Sequence, residues 1–169
     1  MAQFIEKIRA PVRVLLGEAE SLEGSVSLAP RAQYRDGPET LLELLNSPLR
    51  VIPFTRGKSD SVLLLTRLNI VWAAEAAGLD PRLIRPAPYR VTREERVQVV
   101  FTDGGRIEGQ IQMELPEDVN RASDFLNAGE DFVALVTGTG TLLVNKLRVR
   151  ETRVFESSPM PLSPGAGRR

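Results

Sequence analysis

The sequence predicts a mainly β protein, built as two tandem five-stranded small barrels, each with a short helical insert after its second strand. Three observations carry this: a long internal repeat, period-two alternation inside each copy, and turn residues at matching places. Residues 12–28 (VRVLLGEAESLEGSVSL) align without a gap to residues 97–113 (VQVVFTDGGRIEGQIQM) at an offset of 85. Val12 and Val14 match Val97 and Val99, and Glu23-Gly24 matches Glu108-Gly109. Further on, Leu45-Asn46 matches Leu126-Asn127, while Leu63-Leu64 and Leu68 match Leu142-Leu143 and Leu147. Solenoid repeats run to roughly 20–50 residues, so a longer period points to a duplicated small domain.

Each copy opens on a strand, with Val97, Val99 and Phe101 directed inward in the second. Asp103-Gly104-Gly105 then supplies a hairpin turn, where the first copy has the weaker Gly17-Glu18-Ala19-Glu20. The next strand alternates strictly. Ile107, Gly109, Ile111 and Met113 interleave with Glu108, Gln110, Gln112 and Glu114, as Leu22, Gly24, Val26 and Leu28 do with Glu23, Ser25 and Ser27. Such alternation marks an antiparallel strand with one face in water. The matched Gly24 and Gly109 sit mid-strand, where glycine marks a bend or a close backbone approach. Non-strand inserts follow, Pro30 to Pro48 and Pro116 to Gly129, holding short helices from Gly37 to Asn46 and from Asn120 to Asn127, each stopped at an Asn with Pro or Gly close behind. A third strand (50–55, 131–137), a Gly-containing turn and a long last run (62–72, 142–155) complete each unit.

The expected boundaries are 1–75 for the first barrel module, 76–94 for an Arg/Pro-rich connector, 95–156 for the second module and 157–169 for a disordered tail. In the connector, Asp80-Pro81 can cap one helical turn, and Thr92-x-x-Glu95 has capping-box spacing. A unit of this size buries only about 60% of its unfolded surface, so the copies are expected to support each other or pair with other chains.

The run VQVVFTDGGRIEGQIQ resembles the first half of an Sm-like module, and LLVNKLRVRE resembles the second, where an apolar-Asn-Lys-x-x-apolar stretch occurs. The likeness extends to an uncharacterised bacterial family with a helical insert in such an Sm/SH3-like barrel. It implies the barrel fold. The helical insert interrupts the region where RNA-binding members carry their first motif, so only Asn145 and Lys146 carry over.

Net charge is zero, yet unevenly spread: residues 97–156 hold six basic against ten acidic side chains, and residues 73–96 hold five arginines against four acids. The second copy thus lacks the basic footprint usual for nucleic-acid binders. The chain has no histidine and no cysteine, which excludes Ser-His and Cys-His nucleophiles and Cys/His zinc sites. Acidic pairs such as Glu94-Glu95 and Glu130-Asp131 read as surface charge. Gly57-Lys58-Ser59 lacks the first glycine of a phosphate loop, whose place Ile52 takes. No enzyme activity, cofactor or metal is expected. No apolar run approaches the roughly 18 residues of a membrane span, and no export signal is read at residues 1–10, so the expected location is the cytoplasm.

Two features stand out as partner-binding candidates. Lys146, Arg148 and Arg150 form an alternating basic stripe if 142–155 is one strand; its bland reading is protection of a strand edge. Trp72, the sole tryptophan, matches Glu151 and reads as buried against the connector or the sister copy, or as a partner hot spot. The expected function is therefore a non-catalytic protein-interaction or assembly module, meeting a protein partner or another copy through barrel edges. The rival is Sm-like RNA binding through the basic last strand of the second copy (Asn145, Lys146, Arg148 and Arg150) and the connector's Arg82, Arg85, Arg90 and Arg93.

Overall fold

The computed structural model describes residues 6–57, 61–87, 90–114 and 121–155. The first copy contributes β1 (Ile8–Leu16), β2 (Ser21–Leu28), α1 (Leu41–Leu45), β3 (Val51–Arg56), β4 (Val62–Thr66) and β5 (Ile70–Glu75). The second contributes β6 (Arg93–Phe101), β7 (Arg106–Met113), α2 (Ala122–Asn127), β8 (Phe132–Thr137), β9 (Gly140–Asn145) and β10 (Val149–Val154). All ten strands join one antiparallel sheet in the order β10-β6-β7-β8-β9-β5-β1-β2-β3-β4. The order 5-1-2-3-4 in the first copy recurs as 10-6-7-8-9 in the second, so the duplication read from the sequence is visible in the topology.

The expected small barrels are not there. The sheet is open, with β4 at one end and β10 at the other. The physical reason lies in β5, which pairs with β1 on one side and with β9 of the second copy on the other. A strand hydrogen-bonded on both sides has no edge left to close its own copy. The Sm/SH3-like assignment falls with the barrels.

Local sequence explains the elements. Thr40 accepts from the Glu43 N–H while Glu43 reaches back to the Thr40 N–H at 3.0 Å, a capping box that starts α1. Asp103 Oδ1 accepts from the Gly105 N–H at 2.8 Å, and Gly104 takes φ +89°, which closes the β6–β7 hairpin. At Gly24, an added Cβ would lie 2.1 Å from the Thr55 carbonyl oxygen, and at Gly109 it would lie 2.7 Å from that of Val136. The matched glycines thus let β3 and β8 cross close to β2 and β7.

Two further expectations fail for local reasons. The long last run of each copy is not one strand, because short 3-10 turns, Arg67–Asn69 and Lys146–Arg148, break it. In the second copy Asn145 starts the turn, its side chain accepting from the Leu147 N–H at 3.0 Å. Thr92 and Glu95 form no helical cap: Thr92 bonds to the Met113 carbonyl and Glu95 lies in β6. Asp80 does cap a single 3-10 turn, Pro81–Leu83. Lys58, Ser59 and the tail 157–169 lie outside the described residues.

The core has two clusters. One is centred on the first copy (Val14, Leu28, Leu44, Phe54, Ile70), the other on the second (Val97, Phe101, Ile111, Leu135, Val144). Each borrows from its sister. Phe132, Ala134 and Leu143 belong to the first cluster, while Val71 and Trp72 pack into the second.

Candidate functional site

The joint between the copies is the best-defined feature of the molecule. Phe132 and Ala134 on β8, with Leu143 on β9, point away from their own core. They enter the core of the first copy at 1%, 8% and 1% exposure. Around them, polar side chains of one copy hold the main chain of the other. Asn46, just past α1, donates to the Phe132 carbonyl at 3.0 Å and accepts from the Phe132 N–H at 2.8 Å. Asn145, fully buried, donates to the carbonyls of Leu68 and Ile70 at 3.2 and 2.9 Å. Arg67 bridges Asp131 at 3.3 Å while donating to the carbonyls of Leu45 and Leu49.

The repeat then permits a direct comparison of this filled joint with the free end of the sheet. The β5–β9 register sets Trp72 opposite Val144, Ala73 opposite Leu143 and Ala74 opposite Leu142. The repeat places β10 where β5 stands. Both strands carry a bulge at the same place, Val71 against β1 and Arg150 against β6. Beside β10 lies a cavity of about 350 Å³, lined by Val99, Ile111, Leu126, Asn127, Val144 and Val149 among others. Their repeat counterparts are Val14, Val26, Leu45, Asn46, Leu65 and Ile70, all but Asn46 in the cluster that receives Phe132, Ala134 and Leu143. The cavity at β10 is therefore the open version of the socket that the joint fills.

The residues singled out from the sequence fall into place around this comparison. Lys146 and Arg148 belong to the 3-10 turn, so no basic strand stripe exists. Lys146 Nζ donates to the carbonyls of Leu126 and Ala128, each at 3.0 Å, at the end of α2, as Arg67 does at the end of α1. Burial lowers its pKa, against the opposing pull of Asp131 and Glu130. Arg148 spans the joint to the Leu68 carbonyl at 3.1 Å and to the Asn69 side chain. Arg150, half exposed on β10, pairs with Glu151 at 3.0 Å; hydrogen bonds from Arg150 and Arg153 hold that carboxyl below its ordinary range. Trp72 lies within the joint strand β5, half-buried on the second core.

Three of the four connector arginines pair within the chain. Arg82 pairs with Asp80 at 2.7 Å, and Arg93 pairs with Glu95 at 2.8 Å. Arg85 donates to Gln112 Oε1; burial lowers its pKa, with Glu114 opposing. Arg90 is exposed. Sequence reasoning expected the copies to support each other but missed the β5–β9 pairing that joins them, the role of Asn46 and the cavity; the repeat of Leu45-Asn46 as Leu126-Asn127 was the available signal for the last two.

Among the described residues, no group of three or more acidic, His or Cys side chains could hold a metal ion, and no helix is long and apolar enough to cross a membrane. No family model, curated protein or solved structure matches the chain. Together with the open sheet, this sets aside three expectations: an assembly module or scaffold of duplicated closed barrels, its Sm-like RNA-binding rival, and the bacterial attribution.

Proposed function

We propose that the β10 end of the sheet is a binding site for an extended polypeptide segment, which pairs with β10 as one further strand. Its apolar side chains would fill the cavity beside α2. One observation carries this reading: the same repeat positions in the first copy form a socket already occupied in this way by β8 and β9. Edge-strand addition draws its affinity from main-chain hydrogen bonds and its selectivity from pockets for alternate side chains. The bulge at Arg150 is no obstacle, since β5 carries the equivalent bulge and pairs on both sides. Binding of this kind involves no turnover, so the expectation that the chain is not an enzyme forms part of the proposal, as does the cytoplasmic location.

The test is a backbone-amide NMR titration with a synthetic peptide of residues 139–146, the strand that fills the joint. Saturable shifts are expected at Val149–Val154 and in α2. N-methylating alternate peptide residues in one phase should abolish them, and in the other phase should not. Absence of shifts, or shifts indifferent to the methylation phase, would contradict edge pairing.

A further inference from the structure

Resting on that reading, we infer that the segment received at β10 is the β3–β4 end of a second copy of this chain. The opposite edge of the sheet carries the matching surface. In the repeat, Val51, Pro53 and Leu64 are the counterparts of Phe132, Ala134 and Leu143. The latter are buried in the joint. Their counterparts lie on the outward face of the terminal hairpin, with Val51 42% and Leu64 65% exposed and Val62 beside them at 58%. Pro53 pairs directly with Leu64, as Ala134 does with Leu143. The equivalence extends to the main chain: the Arg67 N–H donates to the Arg50 carbonyl at 2.9 Å, and the Lys146 N–H to the Asp131 carbonyl at 2.8 Å.

One end of the molecule thus carries the empty socket and the other the bare plug. Copying the inner joint sets Glu151 opposite Leu65, Thr152 opposite Leu64 and Arg153 opposite Leu63 of the second copy. Asn127 takes the role of Asn46 and holds the main chain at Val51. Contacts of this kind are head-to-tail, so they produce rings or filaments rather than a closed two-fold dimer.

The two joints differ in strength. Arg50 stands where the inner joint has Asp131, so it meets Lys146 as a like charge. Arg150 and Glu151 replace the apolar Val71 and Trp72. The outer joint is therefore weaker and reversible, and its strength depends on known positions.

Sedimentation velocity over a roughly thousandfold range of protein concentration tests this. The wild-type mass should rise with concentration. Leu64→Asp, at an exposed position, should remain a folded monomer throughout. Arg50→Asp exchanges a repulsion for the missing ion pair and should associate at about fivefold lower concentration. A wild type that stays monomeric, with Arg50→Asp no different, overturns the inference. The Leu64→Asp variant keeps the socket, so it should still bind the 139–146 peptide. Peptide binding without self-association removes the second copy and leaves the strand-binding site; loss of both removes the site as well.

Discussion

Asn46 ends α1 and also takes both polar groups of the Phe132 main chain, so one short side chain fixes the register of the second copy on the first. Removing it leaves two joint groups unpaired, which costs about 1–3 kcal/mol. Asn46→Ala should lower the urea-unfolding free energy by about that much, and a change under about 0.5 kcal/mol would show that the joint does not depend on it. Glu43 is a second residue with a defined consequence. Burial alone would raise its carboxyl, but hydrogen bonds from Arg35 and Thr40 and the Arg35 charge bring it below the ordinary 4.5. A depressed carboxyl stabilises the fold above its unfolded pKa, and that contribution is lost as pH falls through the lower folded value. Glu43→Gln should therefore flatten the loss of stability below pH 4.5, as read by thermal unfolding across that range. At this scale the sequence was partly legible. The doubled Leu-Asn pair stood out, but nothing local told that Asn46 reaches a strand 86 residues away.

At the scale of elements, the copies differ most in their fifth strands. β5 is apolar on both flanks and β10 presents charge, which is why one is interior to the sheet and the other is an edge. Trp72→Glu, which gives β5 the residue of β10, should destabilise the joint by about 2–4 kcal/mol, measured by denaturant unfolding. Glu151→Ala should fall within about 0.5 kcal/mol of wild type. The matched glycines are a second element-level device. Gly24→Ala drives a methyl group into the Thr55 carbonyl and the Phe54 ring, and rigid overpacking of this kind costs about 1–3 kcal/mol or more. A tolerated Gly24→Ala, judged by an unchanged unfolding midpoint, would contradict the close crossing of β2 and β3. Alternation, turns and mid-strand glycines were readable because they depend on neighbours in sequence. The break in the last run was not, because the basic-apolar alternation Lys146-Leu147-Arg148-Val149-Arg150 continues through the 3-10 turn that Asn145 imposes.

At the scale of the whole molecule, the repeat announced two similar units, yet similarity within each copy says nothing about where its last strand pairs. Closure onto its own first copy and pairing with the sister both satisfy the same alternation. The deciding residues, Val71 and Trp72 against Arg150 and Glu151, carry that information only once the joint is known. In the proposed assembly the open β10 end copies the filled inner joint, set apart from it on β10 by those two positions and on the facing hairpin by Arg50 in place of Asp131. The most direct test is to give β10 the residues of β5, with Arg150→Val and Glu151→Trp together, and to follow mass against concentration by sedimentation velocity. The double variant should fold and associate at concentrations at least about tenfold below wild type, since apolar burial at the joint exceeds about 1.4 kcal/mol. A folded double variant that sediments as the wild type does at every concentration would contradict it.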